Sequence, residues 1–311
     1  MPNNNKNPPT RSVRRSRAIE ERYYRSLHKL YKAIYKQMKG VSSLVEVHRR
    51  LAVIQSTAIF RNFARSMAVN MATLVNRLSD SDWRLRAEEA NNSLSRDIFK
   101  ALSGELDKSK GRRRRYLRRI ILDMIDDNAQ MIVTLPDQIA NDIAVYMAKE
   151  HALGGVRHEQ LTKEIFARYF DTGDPEVNQF IEYKARRIAR TEISKAQCAL
   201  TLARMDDLEL KWYVWKSAED GDRVRSAHQF MHGVLVNRND PPDPERLDPK
   251  TPNRYSSKFG PYHAGNIYNC RCYPEPVIDI DWLDWSQKQR VHLGGQIQKM
   301  TKQEFRQWVN I

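Results

Sequence analysis

The chain has 311 residues, 41% of them hydrophobic, which is enough for a buried core and about two domains and excludes global disorder. No apolar run approaches the ~18 residues of a spanning helix, and the start, MPNNNKNPPTRSVRRSR, lacks the apolar centre of a secretory signal. Three cysteines cannot all pair, so an intracellularly made protein with reduced thiols is expected.

The net charge of +15 is one-sided. Residues 1–119 carry 28 Lys and Arg against 10 Asp and Glu, a net of +18, whereas residues 120–311 carry 25 against 28, a net of −3. Such asymmetry points to a polyanion held by one part of the chain, or to a basic solvated helix surface.

Residues 1–17 read as a flexible basic arm, Asn-rich and then Pro8-Pro9 with Arg11, Arg14, Arg15 and Arg17. An aromatic, basic helix follows from Ala18 to about Met38, ended by Gly40. From Val41 a second helix shows Leu44, Val47, Leu51, Ile54 and Ala58 at steps of three and four; Met67, Met71, Leu74 and Leu78 repeat the pattern after a phase shift. That stripe is core or partner surface. In KSKGRRRRYLRR (Lys108–Arg119), Gly111 marks a turn between helices. Arg112, Arg113, Arg114, Arg115, Arg118 and Arg119 there can grip phosphates through paired hydrogen bonds, or cover an acidic face of an assembly partner.

Pro136 suits a first helical turn, with Ile139, Ile143, Tyr146 and Met147 on its apolar side. Asp174-Pro175-Glu176 is a helix start, with a capping Asp, a tolerated Pro and a Glu at the positive dipole end; this helix should run to about Met205. On it, Arg186, Arg187, Arg190 and Thr191 make a basic face. The texture then changes. Leu210–Ala218 is rich in β-formers, with Trp212, Val214 and Lys216 alternating against Tyr213, Trp215 and Ser217. Glu219–Asp222 is a turn, RVRSAHQFMHG a short helix closed by Gly233, and Val234–Val236 a short strand. Residues 237–258 form a proline-rich loop before the extended NCRCYPEPVI. The fold class is therefore α+β: a mainly helical domain over residues 18–174, a small α+β module over 175–281, and a helical tail over 282–311.

Cys270 and Cys272 sit one residue apart. In an extended segment they share a face with Cα atoms ~6.6–7 Å apart, at or beyond the reach of a relaxed disulfide. They fill a small core space or face a common metal. A structural zinc would draw further ligands from His228, His232 and His263, and the set His228, His232, Cys270 and Cys272 is the candidate. Asp222, Arg223, Arg225, His228 and His232 could do acid–base work on a phosphodiester or form a network that locks the turn. No nucleophile elbow, phosphate loop, HExxH or paired-carboxylate signature is present.

The order of these pieces resembles the phage Mu F-like, or phage minor head, family of head-morphogenesis proteins over about residues 180–280. The resemblance rests on Arg190, Thr191 and Glu192; Trp215 and Ser217; Asp222, Arg223, Val224, Arg225 and His228; His232 and Gly233; and Asn269, Cys270, Arg271 and Cys272. GPYHAGNIY, in a long loop, departs from the family's shorter approach to the cysteines, and fewer than 40 residues follow Cys272, too few for the effector domain some relatives carry. The resemblance implies a low-copy protein of the capsid interior, assembled in the host cytoplasm and associated with the portal vertex. Its implied partners are the portal protein, scaffold or major capsid protein, and phage double-stranded DNA, with roles in head assembly and DNA packaging or ejection. No catalytic residue is assigned and no cofactor beyond the zinc is expected. The alternatives are a metal-dependent nuclease or related hydrolase centred on Asp222, His228, His232, Cys270 and Cys272, and a host chromosome-binding helical protein.

Overall fold

The computed structural model describes residues 11–90, 111–153, 158–217, 224–251 and 259–309. The Glu219–Asp222 turn and Arg223 lie outside the described residues, as do the side chains of Arg11, Arg14, Arg15 and Arg112–Arg115. The fold is α+β. Packing divides the chain into two units, one of Ala18–Leu74 and Leu122–Ala189, the other of Arg190–Ile311 with the described parts of Met1–Arg17 and Val75–Ile121.

The helices in chain order are α1 (Arg11–Gln37), α2 (Leu44–Ser56), α3 (Ala58–Ala90), α4 (Gly111–Val133), α5 (Leu135–Leu153), α6 (His158–Tyr169) and α7 (Pro175–Asp207). Residues 11–17, expected as flexible arm, are the first turns of α1: no breaker follows Pro9, and arginine is a good helix former. The phase shift in the apolar stripe has a local cause. Thr57 interrupts the helix, donating its N–H to Ile54 O at 3.2 Å and accepting the Phe60 N–H on Oγ1 at 3.2 Å, so a new helix starts in a new phase. Ser43 caps α2 by accepting the Glu46 N–H at 3.2 Å, while Glu46 accepts from the Ser42 N–H at 3.1 Å, a variant capping box. Pro136 sits in the first turn of α5, and Asp174 caps α7 by accepting the Glu176 N–H at 2.7 Å.

The helical unit buries Leu27, Tyr31, Ile34 and Tyr35 of α1, Val47 and Leu51 of α2, and Ile139 and Ile143 of α5. Tyr35 packs on Tyr169 and Phe170 with ring centroids 5.8 and 5.3 Å apart. A buried polar pair crosses this core, the Tyr23 hydroxyl donating to Asn128 Oδ1 at 2.6 Å. Arg186, read as part of a basic face offered to the α+β module or a partner, bonds Glu21 and Glu182 at 2.9 and 2.8 Å and lies 3.8 Å from the Tyr24 ring centre.

The second unit carries a five-stranded sheet of order β3-β1-β2-β4-β5, with β1 (Trp212–Lys216), β2 (Leu235–Asn237), β3 (Tyr273–Pro276), β4 (Gln289–Leu293) and β5 (Gln296–Met300). Neighbours are antiparallel except β2 and β4, which run parallel. Strand β1 is apolar on both faces because both are covered: Tyr213 and Trp215 join one core cluster, Trp212 and Val214 the other. Its partner β3 holds Pro274 and Pro276 and lies at the sheet edge, where a missing N–H breaks no interior ladder.

Residues 282–311, expected as a helical tail, contain the β4–β5 hairpin and, among the described residues, one α-helix, α10 (Lys302–Val309). Gly294-Gly295, at φ +55° and +78°, makes the two-residue turn such a hairpin requires. Phe305 of α10 packs edge-on to Trp212 with ring centres 5.0 Å apart, which closes the second core. This unit also holds the short helices α8 (Ser226–Met231) and α9 (Pro244–Leu247), the latter inside the segment expected to be loop.

Candidate functional site

Among the described residues, those that carry the family resemblance lie in the sheet-bearing unit. Strand β1 lies between β2, which follows α8, and β3, which follows the cysteine loop; the Trp215 N–H donates to Val234 O at 2.9 Å and the Gly233 N–H to Trp215 O at 2.8 Å. Gly233, at φ +78°, turns the chain from α8 into β2. On α7, Arg190 donates to Asn269 Oδ1 at 2.7 Å, and Thr191 Oγ1 accepts the Asn269 N–H at 2.8 Å. These two bonds hold Asn269 at φ +54°, a left-handed turn that asparagine tolerates. Cys270 and Cys272 follow that turn directly and precede β3, so they are in a shaped loop and not in the strand. Glu192 and Arg271 are also engaged.

Both thiols face one imidazole. Cys270 Sγ and Cys272 Sγ each lie 3.4 Å from His228 Nδ1, and His228, Cys270 and Cys272 are 2%, 3% and 3% exposed. All three cysteines are free. The Cys272 N–H donates to Cys270 Sγ at 3.3 Å. The Cys272 thiol holds the Cys270 thiol well below its usual range against its burial. Trp215 meets the His228 ring edge-on at 5.8 Å.

The other imidazole nitrogen is fixed from behind. Tyr262 donates its hydroxyl proton to the Glu245 carboxylate, 2.8 Å from either oxygen. Burial and then the adjacent Glu245 push the Tyr262 phenol far up, which keeps it a donor. Its oxygen, 2.9 Å from His228 Nε2, therefore accepts the Nε2–H. In neutral His228 the lone pair is then on Nδ1, aimed at the two sulfurs.

Two other expected ligands are elsewhere. His232 lies just beyond α8, where its Nδ1 accepts the Ser217 N–H at 3.2 Å and lies 2.9 Å from Ser217 Oγ. The helix ends before the i,i+4 spacing can bring it beside His228. His263 Nδ1 is 3.0 Å from the Tyr213 hydroxyl, and burial followed by Arg238 lowers its pKa to about 4. Arg225 donates to Tyr268 O at 3.1 Å.

Residues 147–274 match the family described as phage Mu protein F like protein. Over that segment the chain is similar to the phage Mu protein F-like family. The chain is also 28% identical over 152 residues to an uncharacterized protein of Haemophilus influenzae, an alignment covering 49% of this chain and 28% of that protein. It therefore spans under a third of the length of that relative. No solved structure matches.

Within the Mu F-like segment, Glu245, Tyr262 and Cys198 are the contributors that sequence reasoning missed. Asp243-Pro244-Glu245 repeats the triplet that starts α7, and Asp243 Oδ1 accepts the Arg246 N–H at 3.2 Å to cap α9. That signal was available. Tyr262 had none, because its role depends on residues 17 and 34 positions away. Cys198 of α7 is buried, which raises its pKa, with Cys270 close enough to add to the rise. Before the matched segment, Arg17, Arg118 and Arg119 belong to the same unit as the sheet.

Proposed function

We propose that this chain is a minor head protein of a tailed phage, seated at the portal vertex inside the capsid and acting in head assembly and DNA packaging or delivery. The observation that carries the reading is the phage Mu protein F-like match over residues 147–274. The charge division supports the DNA contact: a net of +18 over residues 1–119 favours a polyanion there. Its expected partners are the portal protein, scaffold or major capsid protein, and double-stranded DNA, gripped by Arg11, Arg14, Arg15, Arg17 and the arginines of 112–119. A role without turnover is favoured over the hydrolase alternative, since His228, Cys270 and Cys272 are buried beneath Trp215 and Tyr262, out of reach of a phosphodiester.

Two measurements test this. Mass spectrometry of gradient-purified procapsids and virions should find the chain at low copy with portal; its absence from particles contradicts the assignment. Independently, DNA affinity should fall steeply with salt, and replacing the ten arginines by glutamine should abolish most of it. Unchanged salt-sensitive affinity in that variant contradicts the assignment of the DNA contact to these arginines.

A further inference from the structure

We propose that His228 Nδ1, Cys270 Sγ and Cys272 Sγ bind a structural zinc ion that pins the cysteine loop to α8. This goes beyond the head-assembly reading and does not depend on it. The three donor atoms lie within 4.8 Å of one another and come from buried residues. Zinc bonds of ~2.3 Å to sulfur and ~2.0–2.1 Å to nitrogen, at a tetrahedral angle, separate the two donor types by ~3.5–3.6 Å. The separations in the chain are 3.4 Å for both sulfurs. A single lone pair accepts one S–H donor well, so two equidistant sulfurs fit a shared cation better than a shared acceptor.

The surroundings match as well. A ligating imidazole ordinarily donates its second N–H to an oxygen that is itself held, which fixes tautomer and ring orientation. Here Nε2–H donates to Tyr262, and Tyr262 donates to Glu245, which α9 carries in its first turn. The loop backbone is also set: Gly265 at φ +89° passes so close to Cys272 O that an added Cβ would sit 2.5 Å from it. Thiolate sulfur prefers soft divalent cations, which favours zinc over oxygen-loving magnesium or calcium. A dication offsets two buried thiolates that the core would otherwise hold at high cost. Tetrahedral zinc takes one further ligand beyond these three donors, and Cys198 is the chain's remaining thiol.

The test uses the full chain, purified under reducing conditions. Metal analysis after dialysis should give about one zinc per chain. Titration of the zinc-stripped protein with Co²⁺ should give the sulfur-to-metal charge-transfer absorption and strong visible bands of a tetrahedral thiolate site. Cys270→Ser and Cys272→Ser should lose both signals. Should these variants not fold, Tyr262→Phe retains every donor and should bind zinc about 10–100-fold more weakly. A folded wild-type chain that retains no zinc and shows no cobalt spectrum overturns the proposal, and so does a Tyr262→Phe protein that binds zinc as tightly as wild type.

Discussion

In the helical unit the buried side chains repeat along the sequence: Leu27, Tyr31, Ile34 and Tyr35 on α1, Val47 and Leu51 on α2, Ile139 and Ile143 on α5. In the sheet-bearing unit the buried set includes His228, Glu245, Tyr262, Cys270 and Cys272, joined by hydrogen bonds that span 17, 34, 42 and 44 positions. The first core is held by area and shape and tolerates exchange of one apolar group for another of similar size. The second is held partly by a polar chain in which each member fixes the next, so losing one leaves its neighbour buried without its bond. One region is specified by a repeating stripe and the other by single residues.

The comparison can be broken at several points. The largest effect is expected at Trp215, fully buried against the His228 and Tyr262 rings; Trp215→Ala should cost about 3–5 kcal/mol in urea unfolding. Leu51→Ala, in the repeating core, should cost about 2–5 kcal/mol and leave thiol reactivity of the cysteines unchanged. A change in that reactivity would mean the two cores are not separate in character.

Next is Gly265→Ala. The backbone conformation alone makes it costly by about 1–3 kcal/mol, and the added Cβ would also meet Ser194 Oγ at 2.9 Å. The substitution should raise cysteine reactivity along with lowering the unfolding midpoint, because Cys272 O is the nearest atom.

A pH effect is expected as well. His263 is held at about 4, against an ordinary value of 6.5, by burial and then by Arg238. Between these values the unfolded chain binds a proton that the folded chain does not. Stability is therefore complete above pH 6.5 and declines as pH falls toward 4, by at most roughly 1.4 kcal/mol per unit. His263→Gln should flatten that part of the curve; an unaltered slope would place the titration elsewhere. The smallest effect belongs to the exposed pair Arg65–Asp126, 2.9 Å apart with side chains 59% and 60% exposed. Arg65→Ala should change stability by less than about 1 kcal/mol.

How far the sequence was readable follows the same division. The stripe of α2 and α3, the starts at Pro136 and Asp174, β1 with its alternating faces and the Gly233 turn were all legible, because each depends on residues within a few positions of each other. The phase shift was visible too, though its cause, Thr57 ending one helix and capping the next, was not. The hairpin at Gly294-Gly295 and the Asp243-Pro244-Glu245 start were legible in principle and lie in segments read as tail and loop. His228 with Cys270 and Cys272 could be suspected from residue type alone. Placing His232 with Ser217 required the fold, since α8 stops at Met231. Tyr262 could not be assigned before Glu245 and His228 were seen on either side of it.

The account of the sheet-bearing unit turns on one proton. Nitrogen-detected NMR of the histidine-labelled, zinc-stripped chain near neutral pH reports which ring nitrogen of His228 carries hydrogen. The hydrogen-bond chain from Glu245 through Tyr262 predicts a protonated Nε2 and a bare Nδ1. A proton on Nδ1, with Nε2 bare, would contradict it.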